Sequence, residues 1–235
     1  MVKPENQFER GEMLLGDGST DVLRGSTVAI FGVGGVGGYA LEALARAGVG
    51  TLVLVDSDKV STSNINRQII ATHRTLGAAK VDAAKARVLD INPEARVICH
   101  EVFYSDETKD TFDFSSYDYV IDAIDSVRSK IDLIATAKAA GASVISAMGA
   151  GNKLDPTAFK VADISKTAVC PLAKAVRLGL RRIGIKSHKV VYSEEIPASV
   201  GGQTVGSVSF VPSVMGLIIA GEVIKDLVGR DKNSI

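Results

Sequence analysis

The stretch Gly32-Val33-Gly34-Gly35-Val36-Gly37 decides the fold of this chain. It follows an apolar run from Thr27 to Phe31 and opens a helical pattern that continues to Ala47. Glycines at its first, third and sixth positions permit a tight turn, let backbone N–H groups approach a phosphate, and let the helix pack closely on the strand. The unpaired N–H groups and the positive dipole end of the helix also favour an anion. The sequence therefore predicts a strand, a phosphate-binding loop and a helix.

A second apolar run, Thr51 to Val55, ends in Asp56, nineteen residues after Gly37. A carboxylate at the end of the second strand is placed to accept hydrogen bonds from ribose hydroxyls. The glycine loop lies between a predicted strand and a predicted helix, and this acid follows at the expected distance. Together the features predict a nucleotide site rather than a glycine-rich turn.

Strand-like and helix-like patterns alternate along the rest of the chain. This alternation predicts an α/β fold, a Rossmann-like, doubly wound and mostly parallel sheet with right-handed crossovers. Further strands are predicted at 96–103, 117–123, 143–147, 159–164, 189–192 and 208–211, and helices at 76–91, 127–140, 171–183 and 212–227. Residues 194–206, rich in Gly and Ser, are predicted to form a mobile loop. We expect one domain over 1–235, with an N-terminal docking segment at 1–25, a nucleotide-binding half at 26–150 and a C-terminal extension at 151–235 that completes it.

Composition excludes several classes of protein. The chain is 46% hydrophobic and 23% charged, as soluble globular proteins are, and its formal net charge is zero, so any nucleic-acid contact must come from a local patch. Its two cysteines, Cys99 and Cys170, lack the C-x-x-C spacing of a zinc site. The N-terminus has no signal-peptide pattern, and the longest apolar stretch is far shorter than the roughly 20 residues of a membrane span. We expect a cytoplasmic enzyme with no membrane partner.

The loop after the second predicted strand differs from that of a dehydrogenase. It carries Asn64 and Arg67, and Lys80 follows. A nucleoside triphosphate with about four negative charges requires such cations, whereas a nicotinamide site needs few beyond the ribose acid. Asp122 and Asp125 lie at the carboxyl end of another predicted strand, where a carboxylate can hold Mg²⁺ against phosphate oxygens. Two alternatives stay open: the cations are plain surface charges, and Asp122 only orients its loop.

Taken in order, these motifs resemble the ubiquitin-activating-like adenylating superfamily. The resemblance implies ATP and Mg²⁺ as cofactors, with Asp56 on the ribose, Asn64, Arg67 and Lys80 on the triphosphate, and Asp125 on the metal. It also implies a homodimer in which Arg10, of the segment Phe8-Glu9-Arg10, acts in the partner's site. The residues implied to bind the nucleotide are Gly32, Gly34, Gly35, Gly37, Asp56, Asp58, Asn64, Arg67, Lys80, Asp122 and Asp125, and those implied to be catalytic are Arg10, Arg67, Lys80 and Asp125.

Three later segments narrow the resemblance. Met148 to Pro156, Val161 to Thr167 and Cys170-Pro171-Leu172 are similar to the tRNA threonylcarbamoyladenosine dehydratases. Membership would imply ATP-dependent activation of the carboxylate of threonylcarbamoyladenosine beside the anticodon, followed by closure to a cyclic form. The alternative is an adenylyltransferase that activates the carboxylate of a small sulfur-carrier protein, although such enzymes often carry two C-x-x-C pairs. A sulfur-relay protein is a further partner that some relatives have.

The stretch from Ile164 to Ser193 has seven Lys or Arg residues and no Asp or Glu. In a protein without net charge, such a stretch suits contacts with tRNA phosphates, although a solvated helix face gives the same pattern. The predicted tRNA-binding residues are Lys174, Arg177, Arg181, Arg182, Lys186 and Lys189. A nicotinamide oxidoreductase and a tRNA-binding module without ATP turnover remain as alternative hypotheses.

Overall fold

The computed structural model describes residues 6–198 and 205–229. The strands are β1 (Thr27–Phe31), β2 (Thr51–Val55), β3 (Arg96–His100), β4 (Tyr119–Asp122), β5 (Ser143–Ala147), β6 (Phe159–Asp163) and β7 (Lys189–Ser193). The helices are α1 (Glu9–Leu15), α2 (Ser19–Gly25), α3 (Gly37–Ala47), α4 (Lys80–Ile91), α5 (Val127–Ala139), α6 (Pro171–Arg182) and α7 (Phe210–Leu227). Within these ranges, no helix has the length and apolar character needed to cross a membrane.

The strands form one seven-stranded sheet in the order β3-β2-β1-β4-β5-β7-β6. Neighbouring strands are parallel except β6, which pairs antiparallel with β7 at the edge. The winding direction reverses between β1 and β4, so the loops that follow these two strands diverge and open a crevice at the carboxyl edge of the sheet. The predicted α/β, doubly wound and mostly parallel fold is confirmed.

Helices cover both faces of the sheet, so its central strands are buried on both sides. Ile30 and Leu54 belong to the core on the face that α3 and α7 cover, whereas Phe31 and Val53 belong to the core on the face that α5 and α6 cover. α7 lies so close to α3 that a Cβ added to Gly216 would sit 2.3 Å from the carbonyl oxygen of Val36. The sheet is therefore held between two helical layers, which is why its strand sequences are apolar runs rather than alternating patterns.

The structure corrects one predicted element. Residues 208–211 do not form a strand: Phe210 already begins α7, and 205–208 have no regular secondary structure. A short apolar run does not by itself distinguish a buried strand from the start of a buried helix. In the predicted loop at 194–206, residues 199–204 lie outside the described ranges. The division of 1–235 into a docking segment and two halves stays a prediction.

Candidate functional site

A cleft of about 530 Å³ opens at the carboxyl edge of β1, β2, β3 and β4. The loops after these strands form most of its wall, and residues between Val205 and Pro212 close the side opposite β3. The predicted nucleotide-binding residues that line it are Gly32, Gly34, Gly35, Asp56, Asp58, Asn64, Arg67, Lys80 and Asp125. Among the predicted set, Gly37 and Asp122 are not part of the lining.

The glycine loop is tight because its backbone makes contacts that a side chain would block. Gly32 has φ +91°, and a Cβ there would lie 2.7 Å from the carbonyl oxygen of Ala123 in the neighbouring loop. A Cβ on Gly37 would lie 1.8 Å from the carbonyl oxygen of Gly32. Gly37 therefore lets α3 begin directly against the loop, which is a packing role, while Gly32, Gly34 and Gly35 form the surface of the cleft.

Asp56 and Lys80 form the wall of the cleft after β2. Asp56 accepts a hydrogen bond from the N–H of Val33 in the glycine loop (2.8 Å) and another from the N–H of Asp58 (2.9 Å). Lys80, the first residue of α4, places Nζ 2.7 Å from Oδ2 of Asp58 and 3.8 Å from Oδ1 of Asp56. The Lys80 side chain is only 7% exposed, so its charge is fixed at this wall of the cleft.

Arg67 presents a positive charge that no carboxylate neutralises within the described ranges. Its Nη1 donates to the carbonyl oxygen of Ser63 (2.8 Å) and to Oδ1 of Asn66 (2.9 Å). Asn64 is buried and caps its own turn by accepting from the N–H of Ser61 (3.1 Å), so it shapes the loop that carries Arg67. A guanidinium held by neutral acceptors is suited to bind an anion.

The two acids after β4 have different surroundings. Asp125 is exposed at the cleft. Asp122 is fully buried, with Oδ1 2.8 Å from Nζ of Lys130, which is also 0% exposed. Its other oxygen accepts from the hydroxyl of Ser146 (2.6 Å). Asp122 is therefore corrected from a nucleotide-binding residue to a buried one that ties the end of β4 to α5 and β5, since its carboxylate points at Lys130 and away from the cleft.

A fourth side chain extends this buried network. Nε2 of His188 lies 2.7 Å from the Ser146 hydroxyl. Because that hydroxyl gives its proton to Asp122, Nε2 must donate, and the ring is neutral with Nδ1 unprotonated. Burial, together with the positive charges of Lys138 and Lys130, lowers the pKa of His188 to about 3, and burial raises the pKa of Asp122. The chain from His188 to Lys130 fixes the floor beneath the loop that carries Asp125.

Some lining residues were not predicted from the sequence. Val102, Phe103 and Tyr104 follow β3, and Phe103 leaves 53% of its surface exposed beside the cleft. The rule that parallel strands bind ligands at their carboxyl ends could have identified these three. Ser207 and Pro212 come from a distant part of the chain, and no local pattern marks them.

The predicted tRNA-binding residues fall into two groups. Those with exposed side chains and no carboxylate within 4.0 Å in the described ranges are Lys174, Arg181, Arg182 and Lys186. Arg177 is half-buried and donates to the carbonyl oxygen of Thr167 (2.9 Å). Lys189 pairs with Glu222 and Asp226, both at 2.8 Å. The tRNA-binding role of Lys189 stays a prediction, and its charge is already paired within the protein.

Arg10 lies on α1, exposed to solvent, and does not line the cleft of its own chain. Met13 and Leu14 on the same helix are 75% and 76% exposed. The structure thus leaves Arg10 and this apolar pair on the surface of the chain.

The doubly wound sheet, the glycine loop, the acid after β2 and the cations of the cleft define the class of Rossmann-like nucleotide-binding proteins. Within that class, the chain belongs to the ThiF family, which it matches over residues 8–235. It is 46% identical over 240 residues to the tRNA threonylcarbamoyladenosine dehydratase of Bacillus subtilis, with 94% of each chain covered.

Solved structures of the Escherichia coli tRNA N6-threonylcarbamoyladenosine dehydratase, TcdA, are similar over nearly the whole chain. The complex of that protein with ATP superposes with a TM-score of 0.89 at 33% identity, covering 95% of this chain and 94% of the other. Its complex with AMP gives a TM-score of 0.90 at 31% identity and covers 98% of both chains. The resemblance inferred from the sequence motifs is confirmed.

Proposed function

We propose that this protein is an ATP-dependent enzyme that dehydrates threonylcarbamoyladenosine beside the anticodon of tRNA. One observation carries the proposal: a chain similar to a dehydratase over 94% of its length also has a cleft that combines a glycine loop, a ribose acid, two cations and an exposed carboxylate. The alternative, activation of a sulfur-carrier protein, is weaker because the two cysteines cannot supply the zinc site common in such enzymes.

In the proposed complex, ATP occupies the cleft with its ribose at Asp56 and its phosphates between the glycine loop, Arg67 and Lys80. Asp56 already accepts two backbone N–H groups, so it needs no rearrangement to accept a ribose hydroxyl. Lys80 has Asp58 as its partner at 2.7 Å, and a phosphate oxygen would share or replace that contact. The unpaired charge of Arg67 gives the triphosphate its second cation.

Asp125 is the residue that would hold Mg²⁺. The ion is usually held by one or two carboxylates together with substrate phosphates, so a single exposed acid facing a phosphate site fits it. The described ranges contain no cluster of three or more His, Cys, Asp or Glu side chains able to hold a metal, which agrees with a site that phosphate oxygens must complete. When bound there, Mg²⁺ would neutralise charge on the phosphate oxygens.

The reaction needs positioning and charge stabilisation rather than an enzyme nucleophile. An oxygen of the substrate carboxylate bonds to the α-phosphorus of ATP as the bond to pyrophosphate breaks. A nitrogen or oxygen of the same side chain then attacks the activated carbonyl carbon and loses its proton, and AMP leaves. The modified nucleoside loses one water, whose atoms end in AMP and pyrophosphate. Arg67 and Lys80 stabilise the phosphate charge that develops, and the cleft holds the reacting groups together.

The proposal places tRNA phosphates against the exposed cations of α6 and the turn after it: Lys174, Arg181, Arg182 and Lys186. Arg177 would contribute less, since Thr167 already holds its guanidinium. We further propose a homodimer in which Arg10 acts in the partner's site and α1 contributes apolar contacts. A sulfur-relay partner stays a prediction from the family resemblance, as does a cytoplasmic location beside the tRNA pool.

The test is mass spectrometry of nucleosides from threonylcarbamoylated tRNA incubated with the protein, ATP and Mg²⁺, digested mildly enough to keep the labile ring. We expect the loss of one water together with the release of AMP. Asp125→Ala should abolish both while keeping the fold, whereas the matched control Asp90→Ala, at an exposed acid on α4, should retain them. No change in nucleoside mass, combined with pyrophosphate exchange when a carrier protein is added, would establish the alternative instead.

A further inference from the structure

A short segment, Val205 to Ser207, joins the two walls of the cleft, and we call it the 205–207 strap. On one side, Gly206 pairs with Asn152: its N–H donates to Oδ1 of Asn152 (2.6 Å), and its carbonyl oxygen accepts from the N–H of Asn152 (2.8 Å). On the other side, the carbonyl oxygen of Ser207 accepts from Nδ2 of Asn66 (2.9 Å). The strap therefore ends on the loop that carries Arg67.

Asn66 contacts Arg67 as well as the strap. Its Oδ1 accepts from Nη1 of Arg67 (2.9 Å) while its Nδ2 donates to Ser207. These two partners fix the orientation of the amide, because a guanidinium can only donate and a carbonyl can only accept. Asp could not replace Asn66 in both contacts, since an ionised carboxylate only accepts, and Ala could replace it in neither.

The contacts of Arg67 define which of its donors remain for a ligand. Nη1 is engaged by Ser63 and Asn66, both neutral acceptors, so the guanidinium keeps its full charge. Arg has five N–H donors in a rigid plane. Fixing that plane at Nη1 turns its remaining donors in one direction, and Arg67 lines the cleft.

We propose that Asn66 is a positioning residue that orients the guanidinium of Arg67 toward the phosphates of ATP. The 205–207 strap holds the Asn66 amide in place through the carbonyl oxygen of Ser207. The proposal rests on the proposed function for the role of Arg67. Asn66 itself does not line the cleft. It acts by restricting the Arg67 side chain before the nucleotide binds, so that Arg67 loses less conformational entropy on binding. Residues that sequence reasoning left unassigned, Asn66 and Ser207, thereby gain a role in the nucleotide site.

The test is a double-mutant cycle on the dissociation constant of ATP, measured by calorimetry with Mg²⁺ held constant. The four proteins are the parent, Asn66→Ala, Arg67→Ala and the double variant. We expect Asn66→Ala to weaken binding about tenfold in the parent, as the loss of one hydrogen bond to a charged group would. In the Arg67→Ala background the same change should alter binding less than about twofold, because a positioning residue has no effect once its target is absent. Thr62→Ala, an exposed change in the same loop, should stay within about twofold of the parent.

An equal effect of Asn66→Ala in both backgrounds would overturn the proposal, because it would mean that Asn66 supports the loop independently of Arg67. No effect in the parent would overturn it as well, and so would unchanged ATP binding in Arg67→Ala. Circular dichroism of each variant confirms that the fold is intact. Since the readout is ATP binding alone, a failed dehydration of tRNA would count against the proposed function and leave this inference standing.

Discussion

Replacing Lys130 with Met should lower the free energy of unfolding by about 3–5 kcal/mol. Lys130 and Asp122 are both 0% exposed, with their charged atoms 2.8 Å apart. Met fills most of the volume of the Lys side chain, so little packing is lost. The destabilisation comes from Asp122, whose carboxylate keeps its hydrogen bond from Ser146 but loses its ion pair. Removing one partner leaves an uncompensated buried charge, and that is the costly step. In a domain of this size the change corresponds to a fall in Tm of about 6–20 °C.

The loss of unfolding free energy in Lys130→Met should become smaller as the pH falls. Burial already raises the pKa of Asp122, and without Lys130 the pKa rises further. The folded variant then binds a proton at Asp122 more tightly than the unfolded chain does, so its stability increases as the pH falls. The difference in unfolding free energy between Lys130→Met and the parent should therefore be largest in neutral and alkaline solution. It should become smaller as the pH falls toward the ordinary pKa of an Asp side chain.

Urea unfolding of both proteins at two pH values measures this directly. Lys138→Met is the matched control: it changes an exposed Lys on the same helix and should stay within about 0.5 kcal/mol of the parent. Combining Lys130→Met with Asp122→Asn should recover most of the loss, because no buried charge is then left alone. The reasoning is refuted if Lys130→Met costs no more than the control, or if the costs of the two changes at the pair simply add.

Three further outcomes are expected. Mixing two inactive proteins, Arg10→Ala and Lys80→Ala, should restore about one quarter of the parental activity, since half of the random dimers would contain one intact site out of two; no restoration would mean that Arg10 does not act in trans. Arg181→Ala combined with Arg182→Ala should reduce the slope of log binding constant against log salt for tRNA by about 0.7–0.9 per lost phosphate contact; an unchanged slope would remove these residues from the interface. Because the pKa of His188 is lowered to about 3, the folded protein binds fewer protons there than the unfolded chain, so His188 should reduce stability by about 1.4 kcal/mol per pH unit as the pH falls below its ordinary value near 6.5. In His188→Asn, the slope of unfolding free energy against pH between pH 7 and pH 5 should differ from the parent's by the contribution of about one proton, and an identical slope in the two proteins would contradict the assignment.

Several elements and cleft residues within 26–150 were predictable because their sequence signals are local. β1 and β2 have the predicted bounds, since each is a short apolar run closed by a residue that cannot extend it: the glycine loop after Phe31 and the acid after Val55. Asp56, Arg67 and Lys80 also line one cleft, as their motifs predict. The motifs that carry these predictions all lie within residues 27–80, although the contacts that complete the cleft reach much farther along the chain.

The remaining features depend on contacts between distant parts of the chain. The pattern Asp122-x-x-Asp125 puts two acids at one strand end but does not say which of them faces inward; that depends on Lys130 and on Ser146 from the next strand. Lys189 resembles any surface cation until α7 brings Glu222 beside it. The strap reaches the cleft from about 140 positions beyond Asn66, a distance that no local pattern spans.

The position of α7 has a consequence for synthesis of the chain on the ribosome. β1 to β5 and their helices are complete at residue 147, but the face of α3 that α7 covers has no cover until about residue 227 is made. At about 5–20 residues per second, that interval lasts about 4–16 s. For those seconds the nascent protein displays an apolar helix face beside the first five strands of the sheet. This is the stage at which chaperones would bind it and at which crowding among neighbouring nascent chains would lead to aggregation.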